Sequence, residues 1–262
     1  MATLGAMRAD RGADRDAEGG AELVPNARTA RPAACILSAS LLLVGPVVNA
    51  IQRGLLHPTG AEDHHEAIFT EYAASQAWVA THFAEFLLVL VALAGLLVLC
   101  DELRREAPIL ALLAAGAVVA TGTAWAVLQA VDGITLKQAV DAWVAAPDVE
   151  RAIRFADAET LRWVEWGLQS YFRLLLGVTL LVLGAAILVR LLLPRWLGGL
   201  LVLGGLLSLA IGFSVGYEGL ESSVQDAMVI GFQLVVFLFA VGLLIVGLRA
   251  RGRAPGNAVA RR

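Results

Sequence analysis

The stretch 78-WVATHFAEFLLVLVALAGLLVLC-100 closes on fourteen uncharged residues and carries His82 and Glu85 just ahead of them. Residues 86–100 alone would rise only ~22 Å at ~1.5 Å per residue. A helix crossing a ~30 Å hydrocarbon core needs ~20 mainly apolar residues. Glu85, and with it His82, is therefore predicted inside the membrane thickness. Trp78, His82 and Glu85 stand at i, i+4 and i+7, so they share one stripe of the helix.

The rest of the chain agrees with a membrane setting. Hydrophobic residues make up 58% of the 262 and charged ones 16%, and the mean hydropathy is +0.73, far outside the soluble globular range. The net charge of −3 says little, because the charges are segregated along the chain. No basic patch or nucleic-acid motif is present, and no nucleic-acid partner is expected. Among the basic residues only Lys137 is a lysine, and Ala and Gly abound, a bias that points to a high-GC bacterial genome.

Six segments qualify as spans, at about 33–55, 75–100, 107–131, 163–190, 195–217 and 226–248. The expected fold is all-α, a polytopic transmembrane bundle of six helices in the bacterial plasma membrane. Residues 1–32 are expected to be a disordered cytoplasmic tail, 33–249 the six-helix domain, and 250–262 a cytoplasmic C-terminal tail. Arg104 and Arg105, Arg190 and Arg195, and Arg249, Arg251 and Arg253 fall on the side of the N-terminus, so both termini are predicted inside, N-in and C-in. A cleaved signal peptide ending near 48-VNA-50 fits less well, since the basic region is long and Pro46 interrupts the apolar stretch. In the fourth span the uncharged run 174–189 would rise only ~24 Å. Either Arg173 enters the membrane, or Arg190 snorkels and 191-LLL-193 completes the span.

Two long segments are predicted outside, beside the short external turn 217-YEGLESSVQD-226, which carries no basic residue. In 57-HPTGAEDHHEAIFTEY-72, His57, His64 and His65 with nearby carboxylates are weak candidates for metal ligands, but adjacent histidines cannot share a helix face. The second segment, 132–162, places Leu136, Val140, Trp143 and Val144 at helical spacing. It is expected to form an amphipathic external helix on the membrane surface between spans 3 and 4, with Trp143, Trp163 and Trp166 in the interfacial belt and Thr135 and Gln138 as a capping box. Cys35 and Cys100 read as small apolar side chains near the cytoplasmic face, reduced and without metal.

Polar residues recur on several spans. Thr121, Trp125, Gln129 and Asp132 line a stripe of span 3, Arg162, Glu165, Gln169 and Arg173 one of span 4; Asn49, Gln52 and Arg53 close span 1, and Gln225, Asp226 and Gln233 open span 6. A charge at the bilayer centre costs on the order of 2.5–3.5 kcal/mol, so such groups are expected to face one another. The predicted result is an outward-facing polar cavity with candidate residues Asn49, Trp78, His82, Glu85, Trp125, Gln129, Glu165, Gln169, Arg173 and Gln233. Glu85 is expected to pair with Arg173 or with a protonated His82. The alternative is that the cluster only fixes helix register. With one intramembrane His and no GxSxG, P-loop or HExxH motif, no cofactor is expected.

Small residues recur every fourth position in Gly204, Ser208, Gly212 and Gly216, and again in Gly116, Ala120 and Ala124. Helix packing is their default use, and a homodimer face is a second one. Pro108 to 132-DG-133 and Pro194 to 218-EG-219 repeat the same spacing, which an old duplication of helical hairpins would explain.

The passages 132-DGITLKQAVDAW-143, 162-RWVEWGLQSYFRLLLG-177 and 194-PRWLGGL-200 resemble a group of uncharacterised six-span bacterial integral membrane proteins of unknown function. The resemblance implies an architecture over roughly 34–249 and no mechanism. Three functions stay open: small-solute or proton-linked transport or sensing through the cavity, catalysis on a lipid or isoprenoid with Glu85 or Glu165 as acid, and an accessory subunit with no site. The lipid bilayer is the expected partner, with a small-molecule ligand under the first two.

Overall fold

In the computed structural model, which describes residues 30–57, 63–190, 192–220 and 222–253, the apolar runs become helices. In chain order these are α1 (Pro32–Leu56), α2 (His65–Ala74), α3 (Trp78–Leu103), α4 (Pro108–Ala130), α5 (Lys137–Ala145), α6 (Asp148–Arg190), α7 (Arg195–Glu218) and α8 (Ser223–Gly252). Among the described residues there is no strand. Pro32 and Pro108 sit in the first turns of α1 and α4, where a missing N–H leaves no bond unmade. Six helical stretches are long and apolar enough to cross a membrane, the architecture of a multi-pass membrane protein. They match the six predicted segments. The tails at 1–29 and 254–262 lie outside the described residues, as does the loop stretch 58–62.

The spans form a ring. α1 packs on α3 and α8, α3 on α4, α4 on α6, α6 on α7, and α7 on α8, which closes the circle. The outward surface is apolar: Leu112, Val119, Phe213 and Leu234 are all exposed, as lipid contact demands and water does not tolerate.

The most extensive seam joins α6 to α7. Ser170, Gly177 and Gly184 recur every seven residues and meet Gly212, Gly205 and Gly198 in antiparallel order. A Cβ at Gly177 would stand 2.9 Å from the Gly205 carbonyl oxygen, and one at Gly205 would stand 2.8 Å from that of Gly177. Only glycine lets the two backbones come so close. The Ser170 hydroxyl donates to the Gly212 carbonyl at 2.7 Å, and Ser208 to that of Arg173 at 2.7 Å. The predicted stripe on span 5 thus contributes Ser208, Gly212 and Gly216, whose Cβ would stand 3.1 Å from Ser170 Oγ, while Gly204 makes only ordinary contact with Val235 and Leu180. On α4 the prediction of packing holds for Ala124, which packs by Trp125, Leu128 and Phe172, and fails for the other two: a Cβ at Gly116 would meet nothing within 4 Å, and Ala120 is exposed. The buried face of α4 is Ala111, Ala114, Val118, Thr121, Trp125, Leu128 and Gln129.

At one end of the ring Arg31 ties α1 to α3. Its backbone N–H donates to Glu102 Oε1 at 2.7 Å, its Nε to Glu102 Oε2, and its terminal nitrogen to Asp101 at 2.6 Å. Cys35 and Cys100 are buried and unbridged.

At the other end, where Trp78 starts α3, the chain builds a cap. The 43 residues of α6 span ~64 Å, about twice a hydrocarbon core, so its first part must project beyond the ring. α2, in the segment expected to be the first external loop, packs on α5, and α5 packs on α6. Their shared core holds Phe69, Tyr72, Leu136, Val140, Trp143 and Ala158. This corrects the picture of a helix laid on lipid. Leu136, Val140 and Trp143 of the apolar face of 135–146 are covered by α2 and α6 while Val144 stays exposed, and Trp143 lies 6.2 Å from Phe69 and 5.3 Å from Phe155, ring to ring. Thr135 is no N-cap either; its hydroxyl donates to the Ala130 carbonyl at 3.0 Å, because α4 runs into α5 without a break through a wider π-helical turn, Val131–Leu136. The two halves of the apparent repeat therefore part here. Gly133 lies inside that turn, whereas Gly219 ends α7 with φ 83°.

α6 stops at Arg190, and Leu192 and Leu193 lie beyond it. They do not lengthen the fourth span, and ~20 residues counted back from Arg190 take in Arg173.

Candidate functional site

The wide turn between α4 and α5 sets the first layer of polar groups. It swings Asp132 and Gly133 against α3, where a Cβ on Gly133 would overlap the Cβ of His82. His82 is buried, and both ring nitrogens face acceptors: Nδ1 lies 2.8 Å from the Trp78 carbonyl oxygen and Nε2 3.1 Å from Asp132 Oδ2. A carbonyl can only accept, so Nδ1 carries a proton. The second contact then holds one more, either on Nε2 opposite a carboxylate or on Asp132 opposite a neutral ring. Trp78 donates from Nε1 to the Asp132 carbonyl at 3.2 Å and packs on His82 with 4.2 Å between ring centres and the rings tilted by 36°. Tyr72 and His57 close over it, at 4.0 and 5.3 Å from the Trp78 ring.

One turn along α3, Glu85 is 1% exposed. Its partners come from α1: Gln52 Nε2 donates at 3.2 Å, and Arg53 Nε stands 3.6 Å away. The expected pairings with Arg173 or His82 are not made. Arg173 sits on α6 and His82 is engaged by Asp132. Glu165 is likewise taken, by Arg162 one turn before it on α6. Arg162 lies over the Tyr72 and Trp166 rings at 5.7 and 6.0 Å.

The third layer is a cavity of about 790 Å³ within the ring. Such a volume suits a small organic molecule. Of the ten candidate residues, Asn49, Trp125, Gln169, Arg173 and Gln233 line it. Trp78, His82, Glu85, Gln129 and Glu165 do not; the first three form the adjoining cluster along α3, and Gln129 is buried with its Oε1 unpartnered among the described residues. Arg53 links the two regions, since it lines the cavity and pairs with Glu85. Arg53 and Asp132 were legible as members of polar stripes, three or four residues from Asn49 and Gln129, but neither was placed in the site. Periodicity gave their faces without their partners.

The cavity groups are not satisfied by one another. Asn49 Oδ1, Trp125 Nε1 and Arg173 Nε are buried without a hydrogen-bond partner among the described residues. Arg173 has no carboxylate within ion-pair distance there; its guanidinium lies over the Phe172 and Phe232 rings at 5.9 and 5.6 Å.

The histidines weighed as metal ligands receive different partners. His57 packs on Trp78 and His82, while His65 Nδ1 meets Glu159 at 2.9 Å and its ring stacks on Phe69. His64 caps no helix through its side chain, although it precedes α2. Among the described residues no three His, Cys, Asp or Glu are grouped as a metal would require.

Compared with family models, curated proteins and solved structures, the chain finds no match in any of the three.

Proposed function

We propose that the chain is a bacterial plasma-membrane protein with both termini in the cytoplasm, and that its cavity binds a small organic molecule bearing an anionic group, for transport or sensing. The orientation rests on the arginines at 104, 105, 190, 195, 249, 251 and 253, which flank one end of the ring. The Trp78 end and the cap, α5 included, then face outward. Kinship with the uncharacterised six-span bacterial proteins rests on the three passages quoted above.

Arg173 carries the functional reading. An arginine inside a membrane helix is costly, and Arg173, with no counter-charge among the described residues, has that cost unrelieved by them. An anion bound in the cavity supplies the counter-charge and fills the open donor sites. The lipid-enzyme alternative named Glu85 or Glu165 as acid, but both are ion-paired and neither lines the cavity. An accessory subunit without a site has no use for orphaned polar atoms around an interior space.

Thermal unfolding of the purified protein with a panel of carboxylates, phosphate monoesters and anionic lipids tests this. Ligand at ~100 Kd stabilises by about 2.7 kcal/mol. At least one class is expected to raise Tm in the wild type and not in Arg173→Gln. A panel that moves neither protein overturns the proposal.

A further inference from the structure

We infer that the occupant of the cavity is an anionic amphiphile, a hydrocarbon chain ending in a phosphate or carboxylate, and that it enters from the bilayer between α1 and α8. The inference rests on the reading of Arg173 as an anion site and adds the ligand's class and its path.

Two observations carry it. The first is the segregation of the lining. On α6, Gln169 and Arg173 precede Leu176 and Leu180; on α1, Asn49 and Arg53 lie at the Trp78 end and Leu42 toward the other. From Arg173 to Leu180 the helix rises ~10 Å, and from Arg53 to Leu42 ~16 Å. Below the arginines the walls are Leu93 and Leu96 of α3, Leu201 of α7 and Phe239 of α8. A hydrophilic anion would reach the guanidinium and leave this apolar floor uncovered. A chain attached to the anion buries it, at roughly 25 cal/mol for each Å² removed from water.

The second observation is where the cavity opens. Every exposed residue in its lining belongs to α1 or α8: Pro46, Val47, Ala50 and Arg53 on the first, Asp226, Gln233 and Phe237 on the second. The other helices contribute only buried or half-buried residues. Yet α1 and α8 touch closely toward their far ends, where a Cβ on Gly247 would stand 2.9 Å from Ile36 and 3.0 Å from Cys35. The two helices therefore part toward the Trp78 end, and the gap runs through the middle of both. Val47 and Phe237 edge it on the apolar side, with Arg53 and Asp226 at its polar rim. A mid-helix opening faces hydrocarbon, a route for a molecule already dissolved in the bilayer and closed to a hydrated ion.

The test uses the full chain in phosphatidylcholine nanodiscs and three probes: decyl phosphate, inorganic phosphate and decanol. Decyl phosphate is expected to bind at least tenfold more tightly than either of the others. Arg173→Gln should weaken decyl phosphate at least tenfold. Leu180→Phe, which fills the floor and keeps the arginine, should weaken decyl phosphate severalfold and leave any weak binding of inorganic phosphate unchanged. Should Arg173→Gln fail to fold, Leu180→Phe and the comparison of the three probes on wild-type protein still decide the matter. Inorganic phosphate binding as tightly as decyl phosphate overturns the inference and leaves the anion site standing. Decanol binding as tightly as decyl phosphate overturns it as well, since the head would then contribute nothing. No binding by any of the three overturns it too, and the wider panel of anions reports separately on the site itself.

Discussion

Glu85 of α3 takes its counter-charge from Arg53 of α1, 3.6 Å away, which leaves Arg173 of α6 without a carboxylate among the described residues. Glu85 is almost wholly buried, whereas the Arg53 side chain is 44% exposed. Removing Arg53 strands a buried charge; the loss is moderated by water at the exposed partner. Arg53→Ala is expected to cost about 2 kcal/mol in reversible unfolding in mixed micelles. A double-mutant cycle with Glu85→Gln should show coupling above ~0.5 kcal/mol, and a cycle of Arg173→Gln with Glu85→Gln should be additive. Coupling of Glu85 to Arg173 instead would overturn the assignment.

Two glycine substitutions on one helical stretch should behave oppositely. Gly133→Ala drives a methyl into the His82 side chain, a buried group locked by two polar contacts. A loss of about 1–3 kcal/mol, the cost of an overpacked core, is expected. Gly116→Ala meets open space and should gain up to about 1 kcal/mol from the lower backbone entropy of alanine. Melting curves of the two variants check the contrast directly.

The His82 ring has a carbonyl at Nδ1 and a carboxylate at Nε2. Asp132→Asn replaces that carboxylate by an amide, which can donate to Nε2. His82 should then be neutral and protonated on Nδ1. Imidazole nitrogen chemical shifts in protein labelled with ¹⁵N-histidine read the tautomer. A neutral ring protonated on Nε2 would contradict the Nδ1 contact with the Trp78 carbonyl.

Cys35 and Cys100 are both 3% exposed, so the wild-type chain should be nearly silent to an impermeant maleimide. Under the proposed orientation, Asp141→Cys on α5 is labelled in intact cells, and Arg253→Cys only after the membrane is opened. The reverse pattern would invert the topology and turn the polar, Arg173 end of the cavity toward the cytoplasm.

The six helices were legible in the sequence because a bilayer imposes one requirement, ~20 apolar residues without a break, that a string of side chains either meets or fails. Polar stripes were legible for the same reason: a charge among hydrocarbon has to turn inward, so its helix face follows from spacing alone. The partner of each charge was not. Glu85 meets Arg53, and not Arg173, because α1 packs beside α3 while α6 lies across the ring next to α4 and α7, an order that no local pattern encodes. The cap shows the same limit. Leu136, Val140 and Trp143 announce an apolar face, but lipid and another helix satisfy such a face equally well, and only the arrival of α2 against α5 chose protein. Periodicity tells which way a side chain points; what stands opposite is settled when distant segments come together.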